Sequence, residues 1–271
     1  MRDSFAVKGQ TRGRCSICGV DDELTFDHVP PKGAARIGAM AMRSLGDRIG
    51  APAPMARFRR AADGVKFRSI CAACNNSRLG VGADPELARL CNGAHDAYFS
   101  VTRGVTFGIS ARPMRILRAI CGHLLATVPG RSPVGTFEQG MQVFFMDTSS
   151  IPPTELECFY WPYPYNDQVI IRDVTMKRLG VGNAMSFKLL KFYPLAFLLT
   201  WERETDNFQF QMRNLNAFHT LSNDDEALIT VALPGMPRQR WPEMPVKGDD
   251  YLTLWAEKAA THAEPRTKKP S

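Results

Sequence analysis

Two Cys-x-x-Cys pairs bracket an Asp-His dipeptide in the first third of the chain. The order is Cys15-Ser-Ile-Cys18, then Asp27-His28-Val29-Pro30-Pro31, then Cys71-Ala-Ala-Cys74-Asn75-Asn76-Ser-Arg78. Four thiolates in two pairs are the donor set of a tetrahedral, structural Zn²⁺. A carboxylate and an imidazole strapped beside such a knot are what a metal-assisted hydrolase needs. One Cys-x-x-Cys alone could arise by chance or as a redox pair, but two of them about 50 residues apart favour a shared zinc over unrelated structural thiols. The intervening loop is too irregular to build a core, so a metal has a structural reason to be there.

The elements around these residues follow from periodicity and breakers. A knuckle at the first pair leads into a short strand at 24–26 that delivers Asp27 and His28, and Val29-Pro30-Pro31 forces an extended exit. Residues 39–48 suggest a short helix, followed by a Pro-broken loop. The alternating run 65–70 predicts a strand into the second pair, with a helix beginning near Cys74. Asp84-Pro85 predicts a capped helix start, and 112–127 predicts an amphipathic helix with Ile116, Leu117, Ile120, Leu124 and Leu125 on one face. From about 140 the period changes to that of strands, at 141–146, 156–161, 168–172, 186–192, 196–201 and 227–232, with a final helix over 249–262. The expected class is α+β. A basic lead-in (1–14) precedes a zinc-stapled domain (15–110), a mainly β, α+β domain (111–262) and a disordered basic tail (263–271).

The 271-residue chain carries a net charge of +7. Residues 1–78 hold fourteen bases against seven acids, so the whole excess belongs to the segment that carries the cysteine pairs. A basic field there suits a polyanionic partner. The Arg-rich stretch 36–60 has almost no aromatics, which fits phosphate contact rather than base stacking; its plain alternative is a solvated loop. No apolar run approaches the ~20 residues of a membrane span, and the N-terminus lacks the apolar stretch of a secretory signal. The expectation is a cytoplasmic protein with no membrane partner. Cys91, Cys121 and Cys158 are scattered, and Cys121 reads as a core residue.

The succession Cys-x-x-Cys, Asp-His-x-x-Pro, Cys-x-x-Cys-Asn-Asn over about residues 13–92 resembles the HNH endonucleases with a ββα-metal fold, some of which are tied to phage defence. The resemblance implies hydrolysis of phosphodiester bonds in DNA. It makes His28 the general base, Asp27 a ligand of a catalytic divalent ion, and Asn75 its second ligand. Two hard oxygens suit Mg²⁺ or Mn²⁺ better than zinc. Zinc would be held by Cys15, Cys18, Cys71 and Cys74. Lys32, Arg57, Arg59, Arg60 and Arg78 are the candidate nucleic-acid contacts. One departure is plain: no asparagine occurs between residues 29 and 74, and Val65-Lys66 stand where the family has its middle Asn.

Each residue also has a blander reading. His28 could stack on the knuckle or be a stray zinc ligand, Asn75 could cap a helix, and Asn76 could serve a turn. Lys32 and Arg78 could be solvated charges. His123 reads as a satisfied helix residue rather than a ligand. The rival functions are a non-catalytic zinc module that binds nucleic acid or assembles a complex, and a nuclease acting on RNA. The C-terminal half leaves room for a second copy of the chain or a partner protein.

Overall fold

The computed structural model describes residues 10–35, 38–45, 59–100, 106–128, 135–180, 183–201, 208, 212–233, 236–255 and 260–266. Arg57 and the remainder of the Arg-rich stretch between 46 and 58 lie outside them, as do the two ends of the chain.

Strands β1 (Arg12–Arg14), β2 (Asp21–His28) and β5 (Lys66–Cys71) form a small antiparallel sheet with β2 in the middle. β5 runs through Ala72 into a π-wound helix, Ala73–Ala83, which passes directly into α1 (Asp84–Phe99). An eleven-residue π-wound run is unusual, since π turns ordinarily occur singly and often at functional sites. The large sheet contains β3 (Met40–Ser44), β4 (Arg59–Ala61), β7 (Glu157–Pro162), β8 (Gln168–Arg178), β9 (Met185–Phe192), β10 (Leu195–Thr200), β11 (Arg213–Asn214), β13 (Tyr251–Trp255) and β14 (Ala260–Pro265). Its order is β11-β7-β10-β9-β8-β14-β3-β4, and β13 shares the edge of β8 with β14. β6 (Thr106–Ala111) pairs with β12 (Ala227–Ala232). Helices α2 (Pro113–Ala126) and α3 (Thr136–Met146) complete the fold.

The central strands β7, β9 and β10 of the large sheet are buried on both faces. Along β10, Leu195, Phe197 and Leu199 join the core shared with the helices, while Ala196 and Leu198 join a second cluster around Trp161, Trp241 and Tyr251. This is why the strands read as continuous apolar runs. The runs 186–192 and 196–201, expected as strands, are the two arms of the β9–β10 hairpin. α2 packs against β2, β5, the π-wound helix, α1 and α3. It is buried on nearly every side, Arg115 alone being intermediate, rather than on one stripe as expected.

Three elements differ from the sequence reading. Residues 40–44 are a strand, not a helix. Met40, Met42 and Ser44 alternate inward, and pairing with β14 and β4 overrides the helix preference of Met, Ala and Arg. Residues 141–146 belong to helix α3, where Met141, Phe144 and Phe145 are buried and Val143 is exposed. A short apolar run shows neither period clearly. The segment expected as a final helix supplies β13 and β14, whose Tyr-Leu-Thr-Leu-Trp alternates and pairs with β8. β14 also carries residues 263–265, part of the expected tail, into the sheet. Strands β3 and β4 come from the segment before residue 110 yet pair within the large sheet, and one core runs from Cys15 to Ala263.

Candidate metal centre and hydrolytic site

The knuckle between β1 and β2 carries Cys15 and Cys18, the end of β5 carries Cys71, and the π-wound helix carries Cys74. All four sulfurs lie within 4.8 Å of one another. The Cys18 and Cys71 sulfurs are 3.7 Å apart. A tetrahedral centre with Zn–S bonds of ~2.3 Å has S···S edges of about 3.8 Å, so the cluster has the dimensions of a zinc site. The spacing is far beyond a disulfide bond, and all seven cysteines are free. The Cys71 amide donates to the Cys15 sulfur at 3.4 Å. A hydrogen bond from Cys74 and backbone amides bring Cys15 down to about 4, against the opposing effect of burial. It is the thiolate that binds metal. These four residues can hold a metal ion such as zinc.

β2 delivers Asp27 and His28 as the sequence suggests, but the strand turns them to different neighbours. The β2–β5 register shifts between Thr25 and Phe26, leaving Ser69 as the extra residue on β5. Asp27 is 3% exposed, and its Oδ2 lies 2.8 Å from His123 Nδ1 on α2. The other ring nitrogen of His123, Nε2, lies 2.8 Å from Asp84 Oδ1 at the start of α1. His123 is fully buried. Burial opposes its protonation, but the two carboxylates outweigh that and raise it to about 10. Burial pushes the Asp27 carboxyl up, with His123 opposing. Gly122 makes this packing possible: a Cβ there would come within 2.5 Å of Phe145 on α3 and 2.8 Å of Leu79.

His28 faces a cationic environment. Its Nε2 is buried without a hydrogen-bond partner, 3.6 Å from Asp63 Oδ2 in the turn between β4 and β5. Asp63 in turn pairs with Lys66 at 2.7 Å. Burial, then Lys32 and Lys66, hold the His28 imidazole below its ordinary pKa, and Asp63 only partly offsets them. His28 is therefore neutral at pH 7. Asp63 stands against the imidazole where no middle Asn is available, and neither it nor Lys66 was singled out from the sequence.

Asn75 does not cap a helix. No side chain caps the π-wound helix, and the Asn75 Nδ2 donates to Thr25 Oγ1 (2.9 Å) and Phe26 O (3.0 Å) on β2. Phe26 O can only accept, and Thr25 Oγ1 already donates to Ile70 O, so the amide nitrogen must face β2 and Oδ1 is the atom left over. Asn75 is thus clamped one residue from Asp27. Asn76 and Lys32 are exposed. Arg59 and Arg60 lie on β4, two strand residues leading into the Asp63 turn. Arg78 is exposed, but it donates to Met146 O at the end of α3, a helix-capping task unforeseen in the sequence. Arg68 stacks over Phe26, 4.1 Å from the ring centre, and adds a further cation beside the strand.

The structure places Asp27 and His28 in succession on β2 with different partners, and hydrogen-bonds the Asn75 amide to Thr25 and Phe26 just before them. It adds His123, Asp84, Asp63 and Lys66. The signal for His123 was only its place in an otherwise apolar helix, which does not say that two acids distant in sequence would meet it. Comparison of the chain with protein-family models, with curated proteins and with solved structures returned no match.

Proposed function

We propose that this protein is a zinc-stapled, HNH-type endonuclease that hydrolyses phosphodiester bonds in DNA with a Mg²⁺- or Mn²⁺-type ion. The observation that carries this reading is the arrangement on β2. A neutral imidazole flanked by Lys32 and Lys66 follows directly on a carboxylate, and the Asn75 amide is clamped to the carbonyl before them. A general base must be unprotonated at working pH, and His28 is. Asp27 and Asn75 supply the hard oxygens that would hold the ion, through Oδ1 in each case, because the other polar atom is already bonded within the protein. The ion would supply electrostatic stabilisation of the departing oxygen and the phosphoryl charge.

The chain's own residues do the rest. His28 takes a proton from the attacking water, with the Asp63 carboxylate 3.6 Å from its Nε2. Lys32 and Lys66 attract the phosphate, with Arg59 and Arg60 carrying the duplex further along β4. The four-cysteine centre keeps β2, β5 and the π-wound helix in register, so that Asn75 reaches β2. Involvement in phage defence or a mobile element belongs to the same family resemblance and to no contact within the molecule.

The test is incubation of the purified, zinc-loaded chain with supercoiled plasmid in Mg²⁺, in Mn²⁺ and in a chelator that spares the zinc. Nicked or linear product in the first two and none in the third is expected. Retarded but uncut DNA under all three conditions would replace the enzyme with a non-catalytic zinc module. Cleavage confined to RNA in a parallel incubation would change the substrate.

A further inference from the structure

We propose that His123 is a positioning residue of the hydrolytic site, wedged between Asp84 and Asp27 so that the Asp27 carboxylate presents one fixed oxygen to the divalent ion. This deepens the hydrolase reading above and rests on it. Three elements far apart in sequence converge here: β2, the first residue of α1 and the last turn of α2. The two contacts span 96 and 39 residues and are 2.8 Å each.

A buried imidazole has two ring nitrogens to satisfy, and neutral partners such as backbone carbonyls would suffice for one that merely fills space. Here three ionisable groups are gathered at one place, which is costly unless each is tightly paired. Ala83 is the N-cap of α1, and Asp84, inside the first turn, turns its carboxylate to His123. Its side chain is 21% exposed, against 0% for His123, so the chain of contacts runs from the surface edge of α1 to the interior. Asp84 fixes the ring, the ring engages Asp27 Oδ2, and Oδ1 remains as the ion's oxygen. Hydrogen bonds to a ligating carboxylate of this kind hold the ligand in place before the metal arrives.

Two substitutions separate the ends of the ring. His123→Asn retains an amide near the Nδ1 position and so the contact to Asp27. His123→Gln retains one near Nε2 and so the contact to Asp84. Mn²⁺ binding is measured by calorimetry on the zinc-loaded full chain, without DNA. His123→Gln is expected to bind Mn²⁺ ~10–100-fold more weakly than wild type, the usual range for loss of such a partner, and His123→Asn to lose less. Wild-type Mn²⁺ affinity in a folded, zinc-replete His123→Gln protein would overturn the positioning role. Should neither His123 variant fold, Asp84→Asn at the partly exposed end takes their place, with weaker Mn²⁺ binding expected and unchanged binding overturning the role. The two readings fail separately. A wild-type chain that binds Mn²⁺ and cuts no phosphodiester overturns the hydrolase, whereas unchanged Mn²⁺ affinity in the variants overturns only the assignment of His123.

Discussion

At the scale of residues, His28 is the group whose chemistry is most exposed to measurement. Burial, Lys32 and Lys66 disfavour its charged form, and Asp63 and the nearby Asp27 only partly oppose them. The pKa in the folded protein is therefore below the ordinary imidazole value of 6.5. A base that must be neutral stays active as pH falls until that lowered pKa is reached. The acid limb of kcat/KM should accordingly lie below pH 6.5, and Lys32→Ala with Lys66→Ala should move it upward. An acid limb at or above 6.5 in the wild type would contradict this account of the site. Each Cys-x-x-Cys pair and the Asp27-His28 dipeptide could be picked out in the sequence because the spacing within each is local. His123, Asp84 and Asp63 could not, because their partners are decided by how α1, α2 and the β4–β5 turn pack.

At the scale of elements, the cysteine centre is expected to hold β2 and β5 against the π-wound helix, with no other covalent or metal link among the described residues to do so. Replacing Cys71 by Ser should remove the zinc, as measured by metal analysis, and release the Asn75 amide from β2, with loss of amide protection across β2 and β5. A full zinc complement in that variant would exclude Cys71 from the centre. β5 and most of the strands after residue 150 were visible as runs of β-branched and aromatic residues. Residues 40–44 and 141–146 were not, since both are short runs in which tertiary pairing or packing decides the conformation. The last segment misled for a related reason: the Ala-, Glu- and Lys-containing stretch 256–261 favours a helix, while Tyr251–Trp255 answers to the edge of β8.

At the scale of the molecule, the basic excess lies in the segment that holds the cysteine cluster, and β4 carries part of it along the edge of the large sheet into the Asp63 turn. If a duplex follows that edge, each phosphate contact adds about 0.9 to the slope of log affinity against log salt. Arg59→Ala with Arg60→Ala should weaken DNA binding and flatten the slope by about two units, with sequence preference and zinc content unchanged. An unchanged slope would put the DNA path elsewhere on the surface. No helix among the described residues is long and apolar enough to cross a membrane. The mixed α/β, sheet-dominated class was legible from composition and period. The continuity of the core was not, because strands from residues 40–61 complete a sheet built mainly from residues 157–265.

The most direct measurement is the single-turnover rate of plasmid cleavage by His28→Ala, taken beside its zinc content and its DNA affinity. Loss of a general base should slow cleavage by roughly 10²–10⁴-fold while the zinc and the affinity stay near wild type. Cleavage at the wild-type rate by a zinc-replete, DNA-binding His28→Ala protein would contradict the account.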